Sequence, residues 1–200
     1  MKIYLLDINE SMTNEWCEVF QGENRINNDK IEVNIVHGDF KSLLDNIEIQ
    51  CIVSPANAFG LMDGGYDLAI TEYFGTELQD KVQEHIIKEY YGEQILCTSF
   101  IVDIPNTDKK LIHTPTMMIP MDMSNSDVAY QSTRATLICA INNNIDSIVI
   151  PAFAGGCGKM KTKVIAKQMR LAFENIFNRT NEINWDYALN RCENISKTFL

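Results

Sequence analysis

Residues 147–158 read SIVIPAFAGGCG, a short apolar run that ends at Pro151 and passes straight into Gly155, Gly156 and Gly158. Ile- and Val-rich runs of this length, bounded by turn residues, suit a strand buried on both faces. Beyond Lys159, Ile165, Met169, Ala172, Phe173, Ile176 and Phe177 recur at helical spacing, so one stripe of the next segment faces a core. The same order of strand, glycines and helix occurs at 51–67, CIVSPANAFGLMDGGYD, where the apolar run ends at Ser54 and Gly64 and Gly65 precede a helical segment. Two such units predict an α/β domain with parallel strands.

Outward from these stretches, the pattern predicts strands at 2–6, 31–37, 50–54, 95–104, 110–114 and 147–151, six in one mixed, mostly parallel sheet. Helices are predicted over 10–20, 66–74 and 76–91, with another centred on Leu137, Ile138, Ile141 and Ile145 and stopped by Asn142, Asn143 and Asn144. Helices then cover both sheet faces. From 178 the chain turns polar and Asn-rich, with Trp185 and Tyr187 as anchors for a surface helix or partly ordered tail. One domain over 1–200 is expected, with its core in 1–177.

The chain has 200 residues, 46% hydrophobic and 22% charged, the balance of an ordinary globular domain. A net charge of −10 repels a phosphate backbone, which excludes non-specific nucleic-acid binding as a main role. The six cysteines contain no C-x-x-C pair and no histidine at zinc-ligand spacing, so we expect reduced thiols in a cytoplasmic protein without a metal. Its first residues, MKIYLLDINE, hold only a short apolar run, and no apolar stretch has the length of a membrane span. We expect no membrane contact, no cofactor and a monomer.

Ligands of open α/β sheets bind beyond the carboxyl ends of the strands, where both glycine loops fall. Glycine admits left-handed dihedrals and close approach, and a helix start offers unpaired amides to an anion. Gly64, Gly65 and Tyr66 are therefore candidates to hold one phosphate, and Ala154, Gly155, Gly156, Cys157 and Gly158 a second; together they suit a diphosphate. Glycines in such turns also serve geometry alone. Neither loop is a nucleotide P-loop, because Met160 follows Lys159 and Phe153 stands where that motif needs glycine. No G-x-G-x-x-G follows the first strand and no G-x-S-x-G elbow occurs. Phe59, Tyr66 and Phe153 are the aromatic candidates to cover a ligand ring. Cys157 lacks a histidine partner in its motif, so its amide rather than its thiol is the useful group. His113 is expected to be structural, and 125–134 to form a rim over the pocket.

In these residues the sequence resembles the macro domain family, with a bacterial and phage branch nearest. The resemblance rests on GDF at 38–40, IVSPAN at 52–57, GGYDLAI at 64–70 and PAFAGGCGKM at 151–160, all in family order. FGLMDGG, LIHTPTM and AKQMRLAF add to it. This chain departs from the usual pattern at Ser54, which replaces an asparagine, at Pro55, and at Ala154 and Gly155, where Ser and Thr are frequent. The resemblance implies a three-layer α/β/α fold that binds ADP-ribose or an ADP-ribosylated substrate. It assigns Asp39 to the adenine, and Asn57 and Asp67, ten residues apart, to the distal ribose. There Asp67 would direct or deprotonate an attacking water while Asn57 holds ribose hydroxyls. On the residues alone, Asp39 and Asp67 equally suit helix caps and Asn57 a turn. The implied activity is hydrolysis of ADP-ribosyl linkages on protein, O-acetyl-ADP-ribose or nucleic acid; the alternative is a non-catalytic reader.

Overall fold

The computed structural model describes residues 1–22, 26, 28–178 and 180–200. Residues 23–25 and 27 of the expected domain, and residue 179 of the expected tail, lie outside the described residues. The strands are β1 (Lys2–Asp7), β2 (Glu32–His37), β3 (Cys51–Ser54), β4 (Phe100–Asp103), β5 (Lys110–His113) and β6 (Ser147–Pro151). The helices are α1 (Glu10–Phe20), α2 (Phe40–Asn46), α3 (Gly65–Phe74), α4 (Glu77–Tyr90), α5 (Val128–Asn142), α6 (Thr162–Phe177) and α7 (Trp185–Lys197).

The strands form one sheet in the order β2-β1-β6-β3-β5-β4, parallel throughout except where β4 runs against β5. Strand side chains alternate between faces, and each central strand is apolar on both. Leu5, Cys51, Val53, Ile112, Ile148 and Ile150 meet α1, α5 and α6 in one core. Leu6, Ile52, Leu111 and Val149, their neighbours in sequence, meet α2, α3 and α4 in the other. This is the three-layer α/β/α arrangement. The carboxyl ends of β1, β2, β3, β5 and β6 consequently open on one edge.

Two elements differ from the sequence expectation. β4 begins at Phe100 rather than Ile95, because Cys97 takes a left-handed φ of 58° and the Thr98 amide turns back to Ile95 O at 3.3 Å. In α5, Leu137 is buried but Ile138 is 41% exposed, and Ile145 lies beyond the helix. The face of α5 turned inward carries Ala129, Ser132, Thr133, Thr136 and Ala140. Their hydroxyls find partners: Thr133 donates to Ala129 O at 2.6 Å, and Thr136 pairs with the Thr114 hydroxyl at 2.9 Å. A satisfied hydroxyl is cheap to bury, and an apolar stripe does not reveal it. The tail from 178 includes the surface helix α7, which has no buried residue. Trp185 is 81% exposed, and it is Arg191 that ties the helix down, bonding both the Tyr187 and Tyr130 hydroxyls.

Candidate functional site

Because β3 and β6 are parallel neighbours, the loops that leave them emerge side by side. Together they line a single cavity of about 240 Å³. Pro55, Ala56, Asn57, Leu61 and Asp63 to Asp67 form one wall; Ala152 and Ala154 to Gly158 form the other; Thr116, Met117 and Pro120 close the side. A larger depression of about 690 Å³ lies at the strand starts around Met1, Lys2 and Glu32, without glycine loops. Size does not select the site here; the chemistry of the walls does.

The first loop is held from within. Asn57 Oδ1 accepts the amides of Phe59 and Leu61 at 3.1 and 3.3 Å, and its Nδ2 donates to Leu61 O at 2.9 Å. Asn57 therefore lines the cavity while closing its own turn. Gly60, at φ 66°, passes so near α4 that a Cβ would stand 2.8 Å from Val82 Cγ1. The Met62 amide reaches Gln79 Oε1 at 2.8 Å, and the Thr71 hydroxyl reaches Met62 O at 3.1 Å. These contacts deliver the chain to α3 with Gly64 as an extended N-cap that makes no side-chain cap bond. The Gly65 and Tyr66 amides that open α3 are left without partners among the described residues, at the positive end of the helix dipole.

The second loop departs from the expectation that it opens a helix. α6 starts at Thr162, four residues past Gly158. Residues 154–160 instead close on themselves: the Lys159 amide donates to Gly156 O at 3.0 Å and the Met160 amide to Ala154 O at 3.2 Å, with Ala154 and Lys159 at φ 60° and 54°. The Met123 amide takes Gly158 O at 2.8 Å. Carbonyls are consumed in this way, while the amides of Gly155, Gly156, Cys157 and Gly158 donate to nothing among the described residues. Such a concavity of successive amides binds anions without a helix start. Gly158 is required by the closure, since a Cβ there would lie 2.6 Å from Ala154 O. Gly158→Ala is expected to cost about 3 kcal/mol of stability, read by urea unfolding, because backbone must shift to admit the methyl.

Asp67 stands in the first turn of α3, 7% exposed, on the cavity wall. Its Oδ1 accepts the Ser54 hydroxyl at 2.6 Å. Burial pushes its pKa up to about 7, against the opposing pull of the Ser54 bond and its own amide. Beside it, burial and the nearby Asp67 and Asp7 carboxylates hold the Tyr66 phenol well above its usual range. The Tyr66 ring packs edge-on to Phe40 at 5.5 Å, and its buried hydroxyl has no partner among the described residues.

Of the residues singled out in the sequence, Asn57, Gly64, Gly65, Tyr66, Asp67, Ala154, Gly155, Gly156, Cys157 and Gly158 converge on this cavity. Asp39, Phe59 and Phe153 do not line it. Asp39 caps α2, with one oxygen on the Ser42 amide and the other on the Ser42 hydroxyl, both at 2.8 Å. Phe153 is fully buried in the core beneath the second loop with Ile148 and Ile150, although strict alternation would set it on the other face, because β6 ends at Pro151 and the chain turns there. Phe59 is half-buried, its carbonyl taken by Gln83. The rim comes from 116–120 rather than 125–134, whose Ser126 and Tyr130 backbones are tied to Gln168 of α6. His113 is buried, bonded to Gln94 and pushed down to about 3 by burial. Sequence reasoning missed Ser54 as Asp67's partner, although its departure from the asparagine pattern marked the position.

The family model described as Macro domain matches residues 53–169. An "Uncharacterized protein" of Aquifex aeolicus is 30% identical over 129 residues, which cover 64% of this chain and 75% of that one. The macrodomain of Mycobacterium tuberculosis DarG superimposes with a TM-score of 0.56 at 19% identity, covering 66% of this chain and 86% of that one. The Oceanobacillus iheyensis macrodomain with ADP gives 0.54 at 20% identity, covering 74% and 84%. At these identities the structural likeness is one of fold.

Proposed function

The chain belongs to the macro domain family, and from that premise we propose that it binds ADP-ribose between its two glycine loops and hydrolyses ADP-ribosyl linkages at the distal ribose. The observation that carries this reading is the convergence of two sets of unpartnered amides and one buried carboxylate on a single cavity. A solved relative of the same fold carries ADP, the nucleotide half of the proposed ligand. The two loops would each take one phosphate. Asp39 sits on the same sheet edge, next to the Phe40 ring that packs on Tyr66, and is the candidate for the adenine amine.

In the reaction, the oxygen of a water bonds to the anomeric carbon as the bond to the leaving atom breaks, its electron pair departing with the leaving group. Asp67 takes the proton from that water and returns one to the leaving group. Its negative charge also favours the cationic sugar that develops. A base with a pKa of about 7 is matched to neutral pH, because it is ionised yet still basic enough to accept a proton. Only the ionised form accepts, so the release rate is expected to rise with pH and level off above about 7. Following freed ADP-ribose from a panel of modified substrates across pH 5–9 tests this; a pH-independent rate contradicts it.

One observation favours the second reading, a reader that binds without turnover. The Asn57 amide is committed to Phe59 and Leu61, so it holds its own loop rather than standing free for a ribose. Tight ADP-ribose binding with no release from any substrate establishes that reading.

A further inference from the structure

We propose that Ser54 is a positioning residue for Asp67, fixing the carboxylate so that one chosen oxygen meets the reacting centre. The inference rests on the hydrolytic reading above. Ser54 is the last residue of β3 and has no exposed surface. Its backbone is locked at the sheet edge, with its carbonyl accepting the Thr114 amide at 2.9 Å. From that rigid support its hydroxyl donates to Asp67 Oδ1 at 2.6 Å, and no other side chain among the described residues donates to the carboxylate. Oδ2 is thereby left as the oxygen without a side-chain partner. Serine has one donor on a short stem, so it satisfies one oxygen and cannot reach around to the second.

The bond also links two elements that meet nowhere else so directly in polar contact: the end of β3 and the first turn of α3. The titratable groups nearest Asp67 are Tyr66 on its own turn, and Asp63 and Cys157 on the cavity walls, with Asp7 at the end of β1 on the far side of Tyr66. None is cationic. Among the described residues no salt bridge stands in for the hydroxyl, and the Ser54 bond, together with Asp67's own amide, is what stabilises the charged form against burial.

Ser54→Ala removes the donor without adding bulk. In this variant, the ADP-ribose Kd should stay within about threefold while kcat falls about tenfold, because a loosened carboxylate affects the reacting geometry and not the grip on the diphosphate. The pH midpoint of the rate should move up by about one to two pH units, the effect of losing a charge-assisted bond. Independently, the Asp67 carboxyl carbon is titrated by NMR in the wild type and in Ser54→Ala. If Ser54→Ala does not fold, Ser54→Cys, with a weaker donor, is read in the same way. A midpoint that does not move in a folded variant overturns the proposal. Should the wild type release no ADP-ribose while the NMR midpoint still moves, the failure belongs to the hydrolytic reading alone and the Ser54–Asp67 coupling stands.

Discussion

Asp67→Asn is expected to slow release of ADP-ribose by about 10²- to 10⁴-fold, the usual contribution of a positioned base, while ADP-ribose still binds within about threefold. Asparagine keeps the shape and still accepts the Ser54 hydroxyl, but it cannot take a proton from water. The same substitution should stabilise the fold at alkaline pH. In the unfolded chain an aspartate loses its proton near pH 4, whereas in the fold Asp67 holds its proton to about pH 7. Between these values folding takes up a proton, so the native state loses stability as pH rises, and the loss is complete above about 7. Asparagine escapes it, giving a gain of about 4 kcal/mol at pH 8 and almost none at pH 4. Rate assays and urea unfolding at the two pH values check both halves. A fully active Asp67→Asn protein contradicts the assignment.

Gly156→Val should lower ADP-ribose affinity by about 100-fold, some 3 kcal/mol, with little change in stability. A Cβ at Gly156 meets nothing within 4 Å, and its backbone is not in the left-handed region, so the fold admits a side chain there. Gly156 nevertheless lines the cavity between amides that have no other partner. Valine puts apolar bulk where an anion must come within hydrogen-bond distance of those amides. Gly64→Val tests the facing cradle by the same logic, since Gly64 is extended and its Cβ position is open. Gly65 is a poorer probe because its φ of 57° makes any side chain strained. Calorimetry for affinity and thermal melting for stability separate the two effects. Wild-type affinity in both valine variants contradicts a grip by these loops.

The sheet was legible because its central strands are buried on both faces and read as unbroken apolar runs, as in Ile148-Val149-Ile150 and Cys51-Ile52-Val53. The edge strand β4 was read too early at its start, since Ile95 to Ser99 carry strand-like residues through a turn that Cys97 makes in a left-handed conformation. α5 was misjudged in its facing because Thr133 and Thr136 spend their hydroxyls inside the helix layer. At the site, the glycine loops were found by composition. The second loop's way of presenting amides was not, because it depends on the non-glycine residues Ala154 and Lys159 adopting positive φ. Phe153 shows the other limit of spacing: being next to a loop did not decide whether its ring faced ligand or core. Ser54 and Asp67 lie thirteen residues apart, and only the folded strand–loop–helix unit brings them within 2.6 Å.

Two amide cradles are proposed to hold a pyrophosphate between them. Calorimetric titration with ADP-ribose and with AMP, which has one phosphate to offer, addresses this directly. The predicted result is ADP-ribose binding with a Kd on the order of micromolar and AMP at least about tenfold weaker. No heat and no thermal shift with ADP-ribose, or equal affinity for the two nucleotides, contradicts it.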